Sequence, residues 1–157
     1  MKRIVPILLI ILCVVTTAQA DIMYVLCRPD DHVNMRFSAS TKSEIVGYLD
    51  CGDEVETDGV VKKDNKGRKW IHIVSPCVES GDSWVCSMYL QESRVTIQKC
   101  SAYVIAKGRT ALRRSPNGKR IKWLENGDEV SIIAMSNEWA LTSKGYVKMD
   151  YLEGFYE

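Results

Sequence analysis

The chain reads Gly47-Tyr48-Leu49-Asp50-Cys51-Gly52-Asp53-Glu54-Val55 in its first half, and it reads Lys122-Trp123-Leu124-Glu125-Asn126-Gly127-Asp128-Glu129-Val130 in its second. Three further blocks agree in the same order: residues 33–38 match 110–115, residues 70–73 match 139–142, and residues 83–90 match 145–152. Four blocks that match in the same order indicate two copies of one small fold and not a periodic solenoid.

The first 20 residues have the pattern of a cleavable export signal. Lys2 and Arg3 form a basic start, residues 4–15 are apolar apart from Pro6, and Ala18-Gln19-Ala20 forms a small-residue cleavage site. The apolar run is shorter than the about 20 residues that a membrane span needs. A cleaved signal is therefore favoured over a retained anchor. We expect residues 21–157 to be exported, periplasmic or extracellular, with no integral membrane span.

The charges of the chain nearly balance. It has 21 Lys and Arg residues against 20 Asp and Glu residues, a net charge of +1, and loss of Lys2 and Arg3 with the signal brings this to −1. Binding of nucleic acid depends on neutralising phosphates, so no nucleic-acid partner is expected. The second copy does collect basic residues, which form either a basic patch or a solvated strand face: Arg113, Arg114, Lys119, Arg120 and Lys122.

Five cysteines remain after the expected cleavage, and none lies in the second copy beyond Cys100. In an oxidising compartment such cysteines usually pair. Cys77 and Cys86 bracket a hairpin tip that is longer than its counterpart in the second copy, so we predict a Cys77–Cys86 disulfide worth about 2.5–3 kcal/mol. One further bridge is possible among Cys27, Cys51 and Cys100, and Cys27–Cys100 is the pairing we expect. No Cys-x-x-Cys pair occurs, which disfavours zinc.

Alternating apolar residues predict an all-β protein. Val33, Met35 and Phe37 alternate in one segment, as half-buried strands do, and short turn signals such as Asn65-Lys66-Gly67 separate the segments. We predict two small barrels, one over residues 21–92 and one over 102–157, with a joint at 93–101. The joint lacks Pro and Gly, so the two copies should pack together. Each copy is about the size at which a lone core is marginal.

The ordered set of motifs resembles the bacterial SH3 (SH3b) domain, twice over. In the first copy the resemblance lies in residues 33–36, 45–49, 52–55, 70–73 and 83–90, and in the second copy in 111–118, 124, 127–130, 139, 145–147 and 149–152. It covers nearly all of the chain after residue 20. The resemblance implies SH3-like barrels and a partner in the cell wall, that is, peptidoglycan or an envelope protein.

Residues for catalysis are few. The two histidines are His32 and His72, and the strand pattern gives His72 a structural or surface role. Cys51 and His72 could be paired as a nucleophile and a base, but no motif supplies an oxyanion hole or a group to orient the base. The chain has no spare length for the wall-cleaving domains that SH3b domains often accompany. We expect a protein that is not an enzyme and needs no cofactor.

Aromatic residues carry the binding hypothesis, because they supply large contact areas with a polar tip. Trp70 and Trp139 are expected to fill the barrels. The four expected ligand contacts are Tyr48, Trp84, Trp123 and Tyr146. The sequence therefore predicts an exported, non-catalytic binding module that recognises peptidoglycan or an envelope protein. The alternative is a structural adaptor or inhibitor that docks on another envelope protein through a sheet edge.

Overall fold

The computed structural model describes residues 20–74 and 83–157. Within these ranges the chain forms strands and two single-turn 3-10 helices, so the predicted all-β class is confirmed. The predicted signal peptide falls almost wholly on residues 1–19 and lies outside the described residues. Among the described residues, no helix has the length and hydrophobicity needed to cross a membrane.

Seven strands of the first half form one antiparallel sheet, here called the N-terminal sheet. Its strand order is β3-β2-β6-β5-β4-β1-β7, and a 3-10 turn at Ser87–Tyr89 separates the last two strands in sequence. The strands are β1 (Asp21–Val25), β2 (His32–Arg36), β3 (Ile45–Asp50), β4 (Glu54–Lys63), β5 (Lys69–Ile73), β6 (Ser83–Cys86) and β7 (Leu90–Gln91).

The second half repeats this arrangement strand for strand in the C-terminal sheet, whose order is β10-β9-β13-β12-β11-β8-β14. A 3-10 turn at Met149–Tyr151 occupies the place of the first one. The stretch predicted as a joint contributes most of β8. The strands are β8 (Thr96–Val104), β9 (Arg109–Arg113), β10 (Arg120–Glu125), β11 (Glu129–Met135), β12 (Trp139–Thr142), β13 (Gly145–Lys148) and β14 (Leu152–Tyr156).

The duplicated Gly-Asp-Glu-Val motif makes the same turn in both sheets. Gly52 and Gly127 have φ angles of 92° and 87°, a left-handed conformation that glycine adopts without strain. Their N–H groups donate to Val25 and Val104 at 2.8 and 2.7 Å. The aspartate after each glycine accepts the N–H of the residue three positions earlier, at 2.8 Å in the first turn and 2.9 Å in the second. The motif thus turns the chain from β3 into β4, or from β10 into β11, and bonds that turn to the first strand of its sheet.

Each sheet has its own apolar cluster, but the first cluster extends across the boundary. The C-terminal cluster is built from residues of that sheet alone, including Cys100, Leu112 and Val147. The N-terminal cluster also takes in Ala134, Trp139, Leu141 and Tyr146 from the other sheet. Trp70 and Trp139 are buried as expected, but neither fills its own barrel. Trp70 packs with Trp84 and Cys86 in a separate group, and Trp139 lies between the two sheets.

Hydrogen bonds also join the two halves, which are packed together as the sequence predicted. Tyr146 Oη donates to Leu26 O at 3.3 Å, Arg28 Nη2 donates to Ser143 O at 2.6 Å, and Ser136 Oγ donates to Gln91 Oε1 at 3.3 Å. Within the described strands neither sheet closes on itself, since β3 and β7 end one strand order and β10 and β14 end the other. The predicted barrels are therefore two open, seven-stranded sheets.

Candidate binding surface

Tyr48 and Trp123 occupy the same place in the two sheets, and both reach solvent. Tyr48 is 59% exposed on β3 and Trp123 is 37% exposed on β10, and each of these strands lies at the edge of its sheet. Their partners across the ladder are Asn34 and Ala111, which also correspond in the repeat. Two of the four predicted contact residues are therefore exposed, at equivalent positions.

Two arginines hold the indole of Trp123. The Cζ atoms of Arg109 and Arg120 each lie 4.3 Å from the centroid of the Trp123 ring. Arg109 pairs with Glu125 near one end of β10, and Arg120 begins the strand at its other end, so the two guanidinium groups approach the ring along the strand from both directions. Contacts of this kind stabilise by about 0.5–1 kcal/mol at exposed sites. They fix the indole and place positive charge beside it.

Tyr48 also packs against a side chain of its own sheet, His32, at the position of the repeat that Arg109 occupies in the second copy. The His32 and Tyr48 rings meet edge to face with centroids 4.5 Å apart. His32 precedes Val33 as Arg109 precedes Thr110, so the residue against the exposed aromatic ring is at the same position of the repeat. Sequence reasoning missed both His32 and Arg109 as site residues. The signal was present, since both lie one position before the first matched block.

Trp84 and Tyr146, the other two predicted contacts, are buried, and their prediction as exposed residues is wrong. Trp84 is 5% exposed, packs on the His72 ring at 5.0 Å and is covered by Lys62 Nζ at 4.4 Å from its centroid. Tyr146 is 7% exposed and contacts the N-terminal sheet through Leu26. Burial raises the pKa of the Tyr146 hydroxyl. Both β6 and β13 are covered on two faces, which strand alternation does not reveal.

The turn between β4 and β5 is built around Asp64. Its Oδ1 accepts the N–H groups of Lys66 and Arg68 at 2.9 and 3.0 Å, and its Oδ2 accepts Arg68 Nε at 2.6 Å and Trp70 Nε1 at 3.3 Å. Burial alone would raise the pKa of Asp64, but the hydrogen bonds from Arg68, Lys66 and Trp70 lower it to about 2. This carboxylate fixes the buried Trp70 ring and the hairpin together.

The cysteines that the structure describes are Cys27, Cys51, Cys86 and Cys100, all of them buried and none of them bonded to another of the four. Cys77 lies outside the described residues, so the Cys77–Cys86 disulfide stays a prediction. The structure does not bring Cys27 and Cys100 together: Cys27 belongs to the N-terminal cluster with Cys51, and Cys100 belongs to the C-terminal one. That predicted bridge is wrong because β8, which carries Cys100, is a strand of the second sheet.

The residues considered for catalysis have other partners. His72 Nδ1 lies 2.9 Å from Asp58 Oδ2, and its ring packs on Trp84, whereas Cys51 contacts Cys27. Burial on its own would raise the pKa of Asp58, but hydrogen bonds from His72 and from the Val60 N–H lower it. Across residues 20–74 and 83–157, no three His, Cys, Asp or Glu side chains gather in a way that would hold a metal ion.

Comparison with known proteins gives only distant likenesses. No protein-family model matches the chain, and no curated protein matches it. Among solved structures, 90% of the chain is similar to half of NlpC2 from Trichomonas vaginalis (14% identity, 50% of that chain, TM-score 0.35). A similar share, 90% of the chain, is similar to 48% of NlpC1 from Trichomonas vaginalis (14% identity, TM-score 0.35).

A third solved structure, a putative autolysin from Listeria monocytogenes, is similar over 89% of this chain and 64% of its own (9% identity, TM-score 0.32). The chain spans about half the length of the first two structures. All three TM-scores are below 0.5, so these likenesses carry no argument about function. No family membership follows from these comparisons.

Proposed function

We propose that this protein is an exported, non-catalytic binding module of two SH3-like units, and that it recognises peptidoglycan at the cell envelope. The predicted export signal, the motifs that resemble an SH3b domain twice over, and the repeated strand order support this proposal. One observation carries it: the same edge-strand position presents an exposed aromatic ring in both units, Tyr48 in one and Trp123 in the other.

The chemistry of the two positions suits a ligand made of sugars and short peptides. An exposed aromatic ring offers a flat apolar face to a sugar ring, and a hydroxyl or indole N–H at its rim. The guanidinium groups of Arg109 and Arg120 beside Trp123 suit carboxylates, such as those that end the peptide stems of peptidoglycan. Peptidoglycan repeats along its strands, so two like sites on one chain can engage it together, and avidity then exceeds the affinity of either site.

An envelope protein is the second candidate partner, and the position of the aromatics on edge strands favours it. Ile45 and Ile121 lie on the same edge strands as Tyr48 and Trp123 and are 40% and 50% exposed. An edge strand with exposed apolar side chains can accept an added strand from a partner. With such a partner, the function of the protein is that of an adaptor or inhibitor that docks on another envelope protein.

Sedimentation with purified peptidoglycan tests the proposed function. The wild-type protein should pellet with the wall material, and Trp123→Ala and Tyr48→Ala should each weaken binding by about tenfold, as expected for an aromatic hot spot worth more than about 1 kcal/mol. Tyr151→Ala is the matched control, because Tyr151 is also exposed (39%) but lies on the 3-10 turn.

The outcomes separate the two candidate partners. If the wild-type protein stays in the supernatant with peptidoglycan but cross-links to a discrete protein in envelope fractions, the adaptor function replaces the wall-binding one. If both Ala variants pellet like the Tyr151→Ala control, the edge-strand aromatics are not the binding surface.

A further inference from the structure

Cys27 and Cys51 lie side by side although 23 residues separate them in the sequence. Cys27 follows β1, and Cys51 is in the turn between β3 and β4. Two backbone hydrogen bonds join these segments: Gly52 N donates to Val25 O at 2.8 Å, and Val25 N donates to Asp53 O at 2.9 Å. Each cysteine is therefore one or two residues from a bond that fixes the distance between the two backbones.

Cys27 and Cys51 are both buried, and both belong to the same apolar cluster. Cys27 Sγ donates to Arg28 O at 3.5 Å and to Asp31 O at 3.8 Å. Hydrogen bonding of Cys51 to the side chain and the N–H of Cys27 lowers the pKa of Cys51 to about 7, although burial opposes this. The same hydrogen bond, together with burial, raises the pKa of Cys27. Of the pair, Cys51 is thus the thiol that becomes a thiolate near neutral pH, and thiolates are the attacking species in disulfide exchange.

The other described cysteines are not positioned to compete. Cys86 packs with Trp70 and Trp84 in a third cluster, and Cys100 lies in the core of the C-terminal sheet. Burial raises the pKa of both thiols, which makes them poor nucleophiles.

We propose that Cys27 and Cys51 are a disulfide site, oxidised by a small-molecule or protein disulfide, that staples the end of β1 to the β3–β4 turn. The Cys51 thiolate attacks one sulfur of the oxidant, forming a mixed disulfide and releasing one thiol of the oxidant. Cys27 then loses its proton and attacks the Cys51 sulfur, which releases the second thiol. Two S–H bonds and the disulfide of the oxidant are replaced by one Cys27–Cys51 disulfide and two thiols of the oxidant.

The staple lies at the contact between the two sheets. Leu26 O accepts the Tyr146 hydroxyl, and Arg28 Nη2 donates to Ser143 O, so the residues on both sides of Cys27 carry bonds to the C-terminal sheet. Covalent attachment of this segment to the β3–β4 turn fixes the surface on which the C-terminal sheet docks. The disulfide therefore stabilises the arrangement of both sheets and not the N-terminal sheet alone.

Peptide mapping of the folded wild-type protein tests the site. The protein is incubated with oxidised glutathione, quenched in acid, treated with N-ethylmaleimide and digested with trypsin. Trypsin does not cleave before Pro29, so Cys27 lies in the peptide that ends at Arg36, and the other cysteines fall in separate peptides: Cys51 in residues 43–62, Cys77 with Cys86 in 70–94, and Cys100 in 100–107. We expect the Cys27 peptide to be joined to the peptide of residues 43–62. The mass of the joined species should be two hydrogens less than the sum of the two peptide masses, and a reductant should separate the peptides again.

A Cys100→Ala variant is the matched control, because it removes the competing partner and should give the same joined pair. The proposal is overturned if Cys27 and Cys51 are both recovered as maleimide adducts after the glutathione treatment, or if the Cys27 peptide is joined to residues 100–107.

Discussion

Replacement of Trp139 by alanine should destabilise both sheets at once. Trp139 is 1% exposed and belongs to a strand of the C-terminal sheet, yet it packs in the apolar cluster of the N-terminal sheet. Truncation of a fully buried tryptophan to alanine lowers the free energy of unfolding by about 3–5 kcal/mol. Domains of this size are stable by only about 5–15 kcal/mol, so one side chain accounts for a large share of the total.

Urea unfolding measures this loss. With an m-value of about 2 kcal/mol/M, a loss of about 3–5 kcal/mol lowers the midpoint by about 1.5–2.5 M. Far-UV circular dichroism and the fluorescence of the remaining tryptophans, Trp70 and Trp84 in one sheet and Trp123 in the other, should give one shared transition. Trp123→Ala is the control, since that ring is partly exposed and its loss should shift the midpoint far less.

Two results would refute this account of the interface. One is a midpoint for Trp139→Ala that matches the Trp123→Ala control. The other is a variant in which the C-terminal sheet unfolds early while the N-terminal sheet keeps the wild-type midpoint, because the Trp139 side chain would then contribute nothing to the cluster it occupies.

Three further predictions follow from the disulfide, the Asp64 turn and the charged surface. In a variant that keeps Cys27 and Cys51 as its only cysteines, reduction of the disulfide should lower the free energy of unfolding by about 3.5 kcal/mol, the chain-entropy value for a loop of about 25 residues. A loss below about 1 kcal/mol, measured by urea unfolding, would contradict the stabilising role of the Cys27–Cys51 disulfide. The pKa of Asp64 is about 2 against an ordinary 3.8, so its carboxylate stabilises the fold above about pH 4 and loses this effect as the pH falls towards about 2. Asp64→Asn should therefore make the free energy of unfolding depend less on pH over that range. Equal slopes of this free energy against pH in the wild type and the variant would contradict the prediction. Replacing Arg109 and Arg120 by alanine should slow association with soluble peptidoglycan fragments and weaken its salt dependence, and an unchanged salt dependence would remove these arginines from the site.

The repeat and its turns could be predicted from the sequence because they depend on local chemistry. A glycine with positive φ followed by an aspartate that caps the turn leaves a short, recognisable motif, and the structure has that geometry at both Gly52 and Gly127. Strand alternation likewise identified Val33 and Met35 as residues on the covered face of β2, since a strand with one covered face shows a period of two. It was wrong for Phe37, which lies beyond the end of β2 and is 49% exposed.

Burial against a second element could not be predicted in the same way. Trp84 and Tyr146 are aromatic residues in strands, just as Tyr48 and Trp123 are. The local sequence does not indicate which strand lies in the middle of a sheet or beneath another sheet. The same limit applies to Cys27, whose neighbour depends on the pairing of β1 with the β3–β4 turn. Long-range packing decides these positions, and a single sequence carries no direct record of it.

Tyr48 and Trp123 should act as two like sites that engage one ligand together, and equilibrium binding to soluble peptidoglycan fragments long enough to reach both sites tests this most directly. The dissociation constants of the wild type, the two single alanine variants and the Tyr48→Ala/Trp123→Ala double variant are compared. Each single variant should bind about tenfold more weakly than the wild type, and the double variant should lose more than either. A double variant that folds and binds as tightly as the wild type would contradict the claim.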